Sequence, residues 1–257
     1  MIPSALEHVQ EIAARSDKVA LFLDYDGTLT PIVRRPEEAV LSESMRETLR
    51  ALAAKVPVAI LSGRDLEDVR RRVSVEGIVY AGSHGFDIVG LRGLRKQVAP
   101  EFLSVLDDAE KELREKLCDT VGARLERKRF SIAVHYREVP DETVPRVERA
   151  VSQVTARHRE LREMAGKKVY EFQPDIDWDK GKALLWLLDI MRPDSRQMFP
   201  IYIGDDLTDE DAFRAIRQRG IGILVSEREQ PTAARCVLKS PAEVERFLRG
   251  VLARLLQ

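Results

Sequence analysis

Cysteine is scarce in this sequence of 257 residues, and long apolar runs are absent. The two cysteines, Cys118 and Cys236, lie far apart and outside any metal-binding spacing, which is typical of reduced cysteines in a cytosolic protein. The longest apolar runs are much shorter than the roughly 20 residues that span a membrane. No basic segment followed by an apolar one stands near Met1, so no secretory signal is predicted. We therefore expect a cytoplasmic protein without a membrane partner.

An excess of either charge is also missing. The sequence has 42 lysines and arginines against 43 aspartates and glutamates, which gives a formal net charge of -1. Because there is no basic excess, nothing indicates nucleic acid or an anionic membrane as a partner. The hydrophobic share of 44% and the charged share of 33% are typical of a folded, soluble protein and exclude a long disordered chain.

Short apolar segments rich in β-branched residues alternate with helical patterns in the first and last parts of the sequence. Strands that are apolar on both faces are typical of a parallel sheet covered by helices on either side. The alternation therefore predicts an α/β fold with a doubly wound, mostly parallel sheet. The predicted strands are Val19–Leu23, Val56–Leu61, Ile78–Ala81, Pro200–Ile203 and Ile221–Val225, and the predicted helices are Ser42–Lys55, Leu66–Val73, Lys180–Met191, Asp209–Gln218 and Ala242–Leu256.

The alternation stops between about Pro100 and Pro174. Polar and apolar residues alternate within that stretch, which favours a sheet with one face against helices and one face free. We predict an α/β core over residues 1–99 and 175–257, and an inserted α+β cap domain over residues 100–174. The predicted cap elements are helices at Glu101–Cys118 and Thr143–Leu161, and strands at Arg124–Lys128, at Ser131–Arg137 and in a final part ending at Val169–Phe172.

Polar residues follow three of the predicted core strands directly, and ligands of open parallel sheets bind beyond the carboxyl ends of the strands. Asp24 and Asp26 leave the first strand, Ser62–Arg64 follows the second, and Asp205 follows the fourth. Two carboxylates as close as Asp24 and Asp26 repel each other unless a cation lies between them. Hard oxygen ligands favour Mg²⁺ over a transition metal. The alternative is that the aspartates only cap helices or form turns, but the agreement of three strand ends favours a metal site.

Four short motifs resemble those of the haloacid dehalogenase-like phosphohydrolases, in the order known for that superfamily. The motifs are DYDGTLT at Asp24–Thr30, SGR at Ser62–Arg64, DKG at Asp179–Gly181 and GDDLTD at Gly204–Asp209. The resemblance covers the predicted core, roughly two thirds of the chain. It implies a phosphatase that depends on Mg²⁺.

The resemblance also implies a role for each motif. Asp24 would attack phosphorus and form an aspartyl phosphate, and Asp26 would act as general acid toward the leaving alkoxide and then as general base toward water. Ser62 and Lys180 would hold the phosphoryl oxygens. Thr28 and Arg64 are further candidate substrate-binding residues. The implied Mg²⁺ ligands are Asp24, the main-chain carbonyl of Asp26 and Asp205, with Asp206 and Asp209 behind them or joined through water.

Longer segments resemble the trehalose-6-phosphate phosphatases over nearly the whole chain. In that family a Glu-x-Lys pair on one cap strand and a glutamate on the last cap strand contact the sugar; Glu126, Lys128 and Glu171 occupy the matching positions. Carboxylates and ammonium groups suit the hydroxyls of a disaccharide. Arg137 would order a loop or reach the phosphate. The alternative for these residues is a solvated charge run. The segments are DYDGTLTPI, GSHG at Gly82–Gly85, VHYR at Val134–Arg137, DKGKAL and GDDLTDEDAF.

The resemblance implies hydrolysis of trehalose 6-phosphate to trehalose and phosphate, the final step of trehalose biosynthesis, and a functional link to a trehalose-6-phosphate synthase. Other sugar phosphates stay open as substrates, namely those of sucrose, glucosylglycerate and mannosylglycerate. A phosphomutase would share the aspartyl phosphate. A non-catalytic domain that supports a synthase is the alternative outside catalysis, and the presence of Asp24, Asp26, Lys180 and Asp205 argues against it.

Overall fold

The chain is described by a computed structural model over residues 2–14, 19–33, 35–166, 168–191 and 198–257. It divides into two units, one formed by Met1–Lys96 and Trp178–Gln257 and the other by Gln97–Asp177. Across those described ranges, no helix combines the length and the apolar character needed to cross a membrane.

Twelve strands and eight α-helices make up the described parts of the chain. The strands are β1 (Val19–Leu23), β2 (Val58–Leu61), β3 (Val79–Gly82), β4 (Asp87–Val89), β5 (Arg95–Gln97), β6 (Arg124–Lys128), β7 (Ser131–His135), β8 (Leu161–Gly166), β9 (Val169–Pro174), β10 (Phe199–Gly204), β11 (Ile221–Val225) and β12 (Cys236–Leu238). The helices are α1 (Val9–Ala13), α2 (Glu43–Ala53), α3 (Leu66–Val73), α4 (Leu103–Leu117), α5 (Val144–Arg157), α6 (Lys180–Met191), α7 (Asp209–Ile216) and α8 (Pro241–Leu255).

One eight-stranded sheet, in the order β12-β11-β10-β1-β2-β3-β4-β5, forms the centre of the first unit. The six strands from β12 to β3 run parallel, and β4 runs antiparallel to β3. Because β1 lies between β2 and β10, the winding of the chain reverses beside β1. The carboxyl ends of β1 and β10 therefore meet at the position where open α/β sheets bind their ligands.

Strand β1 is buried along its whole length because helices cover both faces of the sheet. Leu21 and Leu23 belong to the apolar cluster on the side of α2, α3 and α8, while Ala20 and Phe22 belong to the cluster on the side of α6 and α7. Burial of a side chain such as Leu21 or Phe22 contributes about 1.5–3 kcal/mol. The prediction of a doubly wound, mostly parallel sheet is confirmed.

The second unit is an antiparallel sheet in the order β6-β7-β9-β8, packed against α4 and α5. Ile132 and Val134 of β7 face the helices and are fully buried. Because side chains alternate along a strand, the odd-numbered residues of β7, Ser131, Ala133 and His135, lie on the opposite face. The predicted α+β layer, with one sheet face against helices, is confirmed.

Several element boundaries differ from the sequence-based expectation. Three strands of three residues each, β4, β5 and β12, were not predicted, because strands so short show no periodicity. The helix predicted over Thr143–Leu161 ends at Arg157, since His158 leaves helical geometry with φ −103° and ψ 69°; Leu161 then begins β8. The strand predicted to Arg137 ends at His135.

Candidate active site

Asp24 leaves β1 at the edge where β10 also ends. Its main-chain N–H donates to the carbonyl of Ile203 in β10 at 2.9 Å, which continues the parallel ladder to the last residue before the loop. The loop turns back because the carbonyl of Tyr25 accepts from the N–H groups of Leu29 and Thr30 at 2.9 and 3.1 Å. The Asp24 side chain is therefore held at the end of a rigid strand, and the residue is only 5% exposed.

The ammonium group of Lys180, at the start of α6, joins two carboxylates. Its Nζ donates to Oδ1 of Asp24 at 2.8 Å and to Oδ1 of Asp209 at 2.7 Å, and Lys180 is 3% exposed. Burial alone would lower the pKa of Lys180, but attraction to Asp209 and Asp24 raises it well above its usual value, so the amine stays charged. Among the described residues, the side-chain hydrogen bond that Asp24 accepts ends on Oδ1 and leaves Oδ2 available.

The side chain of Asp209 is fully buried and accepts four hydrogen bonds. Oδ1 accepts from Lys180 and, at 2.6 Å, from the hydroxyl of Tyr202 in β10. Oδ2 accepts from the main-chain N–H groups of Asp205 and Asp206, each at 2.9 Å. This one side chain therefore fixes both the ammonium of Lys180 and the backbone of the loop that carries Asp205.

Three carboxylates lie close enough together to hold a cation. Asp24, Asp205 and Asp209 each place an oxygen within 4.8 Å of the others. Burial, followed by the charge of Asp209, raises the pKa of Asp205 to about 7, and burial raises that of Asp24 well above its usual value. A divalent cation would offset this crowding of negative charge, and an all-oxygen donor set suits Mg²⁺.

The donor set fits Mg²⁺ in a particular way. Because four hydrogen bonds already fill Asp209, the carboxylates with capacity left for a metal are those of Asp24 and Asp205. Arg64 binds both carboxylate oxygens of Asp26, and the main-chain carbonyl of Asp26 is the oxygen that the resemblance assigns to the metal. Asp206 is exposed, and its Oδ1 accepts from the N–H of Leu207 at 2.7 Å.

Gly27 allows the two loops to approach each other. Its φ of +78° lies in the left-handed region, and a Cβ at this position would stand 2.1 Å from Oδ2 of Asp205. Glycine is therefore required both for the backbone conformation and for space. The DxDG motif needs its glycine here because Asp205 occupies the space where a side chain would be.

Two buried hydroxyl groups belong to the first two motifs, Thr28 to DYDGTLT and Ser62 to SGR. Oγ of Ser62 accepts from the main-chain N–H of Arg64 at 3.1 Å, a bond that leaves the hydroxyl hydrogen of Ser62 available for another acceptor. Oγ1 of Thr28 is buried and has no hydrogen-bond partner among the residues that the structure describes. Buried polar groups are nearly always paired, so this hydroxyl is a candidate donor to a bound ligand.

Asp26 is bound on both oxygens by Arg64. Nε of Arg64 donates to Oδ2 at 2.7 Å and Nη2 donates to Oδ1 at 2.6 Å. Nη1 donates to Oδ2 of Asp68 at 2.9 Å, and Nη2 also donates to the carbonyl of Pro36 at 2.8 Å. Burial alone would lower the pKa of Arg64, but the bonds to Asp26 and Asp68 raise it above its ordinary value.

The predicted sugar-binding residues lie on one face of the sheet in the second unit. Oε1 of Glu171 accepts from Nζ of Lys128 at 3.0 Å and from the hydroxyl of Ser131 at 2.6 Å. Lys128 is paired with Ser131 in the register between β6 and β7, and Glu171 lies on the neighbouring strand β9. The three side chains therefore form one polar cluster. Lys128 and Glu171 are predicted sugar-binding residues, whereas the sequence did not indicate Ser131.

A second pair lies on the same face of that sheet. The ring Nε2 of His135 lies 2.9 Å from Oε2 of Glu126, and this hydrogen bond is the main cause that lowers the pKa of Glu126. Arg137 lies in the turn beyond β7 and is exposed. His135 was not expected in a functional role, although the alternation along β7 indicates the face it shares with Ser131.

The structure thus brings Asp24, Lys180 and Asp205 together at the end of the sheet. It also shows partners that the sequence did not indicate. The hydroxyl of Tyr202 donates a hydrogen bond to Asp209, and Asp68 accepts one from Arg64. Tyr202 lies within an apolar strand, and Asp68 has the appearance of an ordinary helix surface residue. No sequence signal distinguishes either of them from a structural residue.

Comparison with known proteins gives a consistent result. The family model described as trehalose-phosphatase matches residues 22–242. A protein of Arabidopsis thaliana called probable trehalose-phosphate phosphatase D is 44% identical over 97% of this chain and 72% of its own length. Trehalose 6-phosphate phosphatase RA3 of Zea mays is 43% identical over 96% of this chain and 74% of its own. The C-terminal domain of C. albicans trehalose-6-phosphate phosphatase shares the fold, with a TM-score of 0.82 and 22% identity over 98% of both chains.

Proposed function

The chain belongs to the trehalose-phosphatase family, and from that membership we propose that it hydrolyses trehalose 6-phosphate through an aspartyl phosphate on Asp24, with Mg²⁺ as cofactor. The products are trehalose and inorganic phosphate. The observation that carries the mechanism is the buried ammonium of Lys180, which binds Oδ1 of Asp24 in a cluster that also holds the carboxylate of Asp205.

In the first step Asp24 is the nucleophile. Oδ2 forms a bond to phosphorus while the bond between phosphorus and the sugar oxygen breaks, and the pair of electrons leaves with that oxygen. Lys180 holds Oδ1, so the attacking oxygen has a fixed direction. The hydroxyls of Ser62 and Thr28 are available to donate to the phosphoryl oxygens.

Asp26 moves the protons. An unactivated sugar alkoxide is a poor leaving group, so Asp26 donates a proton to it as the bond to phosphorus breaks. The same carboxylate then takes a proton from water, whose oxygen attacks the phosphorus of the aspartyl phosphate. Phosphate leaves, and Asp24 is regenerated with its original charge.

Asp24, Asp205 and the main-chain carbonyl of Asp26 would hold Mg²⁺ in this site. When bound, the ion offsets the negative charge of the phosphoryl group. Asp209 would act behind these ligands, because its hydrogen bonds already fix Lys180 and the loop of Asp205.

The second unit supplies the proposed sugar recognition. Glu126, Lys128 and Glu171 offer acceptors and donors on one sheet face, and a disaccharide offers many hydroxyls for them. We place the reaction in the cytoplasm, in keeping with two free cysteines, and after a synthase that makes trehalose 6-phosphate.

The test is phosphate release from trehalose 6-phosphate, sucrose 6-phosphate, glucose 6-phosphate and glucosylglycerate phosphate, each with and without Mg²⁺. We expect preference for trehalose 6-phosphate and dependence on Mg²⁺. Preference for another ester would discard the proposed substrate and keep the Asp24 chemistry. No release from any ester would favour a non-catalytic domain.

The role of Asp24 is tested in the same assay with Asp24→Asn, which removes the nucleophile and little volume. Turnover should fall to below about a thousandth of the wild-type rate. The matched control is Asp119→Asn, which changes an exposed aspartate and should leave turnover unchanged. Circular dichroism of both variants checks the fold. An active Asp24→Asn variant would rule out the covalent mechanism.

A further inference from the structure

The guanidinium group of Arg64 donates hydrogen bonds to residues of its own chain. Four hydrogen bonds leave it, two to the oxygens of Asp26, one to Asp68 and one to the carbonyl of Pro36. The guanidinium carbon also lies 5.4 Å from the centre of the Tyr25 ring, within the range of a cation–π contact. To bind a phosphoryl group, Arg64 would have to give up several of these bonds.

The backbone of Arg64 is fixed as well. Its N–H donates to Oγ of Ser62, and its carbonyl accepts from the N–H of Ser83 at 2.7 Å. The side chain is only 10% exposed. Both ends of the residue are therefore immobilised, and the contact with Asp26 joins a rigid donor to a carboxylate on the loop after β1.

Asp68 binds the remaining terminal nitrogen of the guanidinium, Nη1. Besides Arg64, it accepts hydrogen bonds from Arg71 and Arg72, each at 2.7 Å. Arg72 in turn donates to the carbonyl of Ala39 at 3.1 Å. Helix α3 and the segment before α2 are thus tied together around the group that orients Asp26.

We propose that Arg64 is a positioning residue that fixes the plane of the Asp26 carboxylate for proton transfer to the leaving group, and that it does not bind the substrate phosphate. The proposal rests on the acid–base role given to Asp26 above. Each carboxylate oxygen has two lone pairs, and the fork of Arg64 occupies one on each. The remaining lone pairs stay available for the transferred proton, in one fixed orientation.

The first test is Arg64→Lys, because an ammonium group keeps the charge but cannot bind both oxygens in one plane. With trehalose 6-phosphate, kcat should fall by about tenfold or more, while KM changes less than about twofold. With p-nitrophenyl phosphate the loss should be much smaller, because p-nitrophenolate leaves without a proton. Equal losses on the two esters would overturn the proposal.

The second test is a double-mutant cycle with Asp26→Asn. If Arg64 acts through Asp26, adding Arg64→Lys to Asp26→Asn should cost no further activity. Losses that multiply would show an independent role. A rise in KM for both esters, together with weaker inhibition by inorganic phosphate, would identify Arg64 as a phosphate ligand and would also overturn the proposal.

Asp68→Asn keeps the test informative where Arg64→Lys fails to fold. It weakens the anchor of Arg64 without touching Asp26, and should give the same preference for the activated ester at a smaller loss. Wild-type activity across the sugar phosphates tests the proposed substrate separately. If another sugar phosphate is preferred, the ratio between that ester and p-nitrophenyl phosphate tests Arg64 in the same way.

Discussion

At the scale of single residues, the site depends on a buried cation shared by two carboxylates. Lys180 binds Asp24 and Asp209, and all three are removed from water. Buried ion pairs contribute little net stability, but removing one partner strands the other and costs about 3–5 kcal/mol. The main effect of the cluster is therefore to fix the orientation of the Asp24 side chain, and its net contribution to stability is small.

Tyr202→Phe tests this arrangement, because it removes only the hydroxyl that donates to Asp209. The free energy of unfolding should fall by roughly 1.5–3 kcal/mol, the range for a hydrogen bond to a charged group. Turnover should also fall, by about threefold to tenfold, since Lys180 and the loop of Asp205 depend on the same carboxylate. Chemical denaturation and phosphate release are the measurements.

The matched control is Tyr80→Phe. Tyr80 is also a buried tyrosine, and its hydroxyl donates to the carbonyl of Val75 at 2.7 Å, away from the catalytic residues. This variant should lose stability and keep its turnover number. If both variants lose activity equally, the Tyr202 hydroxyl has no special connection to catalysis.

The sequence predicted much of the site at this scale, and the reason is local. Asp24 and Asp205 each follow a strand directly, so their position follows from the order of elements alone. The contacts of Tyr202 with Asp209 and of Arg64 with Asp26 depend on which way each side chain turns across the tertiary structure. That information is absent from the motif, so the prediction that Arg64 binds substrate takes no account of its hydrogen bonds to Asp26.

At the scale of elements, ion pairs of Asp68 stabilise helix α3. Asp68 joins Arg64, Arg71 and Arg72, and although burial alone would raise its pKa, these hydrogen bonds lower it below the ordinary value of 3.8. Because the folded pKa is depressed, this stabilisation is fully present above about pH 4 and is lost as the pH falls through the folded pKa.

The expected result concerns Asp68→Asn. Its deficit in unfolding free energy relative to the wild type should be constant near neutral pH and should shrink as the pH drops below about 4. Urea denaturation across this pH range is the measurement. Glu67→Gln, which changes an exposed carboxylate on the same helix, is the control and should show no such trend. A pH-independent deficit would contradict the charge-based account.

The antiparallel sheet of the second unit carries the next prediction. Glu171→Gln keeps the volume but removes the charge that Lys128 and Ser131 bind. We expect kcat/KM for trehalose 6-phosphate to fall by about tenfold or more, and that for glycerol phosphate to change less than twofold. The control is Glu142→Ala, at an exposed position off the sheet. Equal losses on both esters would assign Glu171 a structural role.

Elements were predictable where the pattern was long. Strands β1 and β11 were predicted to the residue, because each is a five-residue segment without a polar side chain that ends at a polar residue, Asp24 or Ser226. Strand β5 was missed because Arg95–Gln97 has no apolar residue, and its place at the sheet edge is decided by pairing. Helix α5 is shorter than predicted. The prediction extended to Leu161 because that residue continues the apolar periodicity of the helix, although it belongs to β8.

At the scale of the whole molecule, the carboxylate cluster predicts that metal binding raises stability. Burial and repulsion among Asp24, Asp205 and Asp209 oppose folding without a cation, and a ligand that binds only the folded state stabilises it. Adding Mg²⁺ after chelation should therefore raise the melting temperature by a few degrees. Differential scanning calorimetry measures this shift.

Asp205→Asn separates this effect from a general influence of salt. The variant should melt at or above the wild-type temperature without Mg²⁺, because it removes one charge of the cluster, and it should respond weakly to added Mg²⁺. Asp206→Asn is the control, since that aspartate is exposed, and should keep most of the response. An undiminished shift in Asp205→Asn would remove Asp205 from the metal site.

The position of β1 between β2 and β10 has a consequence for synthesis on the ribosome. One edge of β1 can pair with β2 soon after both emerge, but its other edge must wait for β10, which begins about 175 residues later. At usual translation rates that interval is on the order of ten to thirty seconds. During it the nascent chain presents an apolar strand edge, which is a target for chaperones and a risk for aggregation.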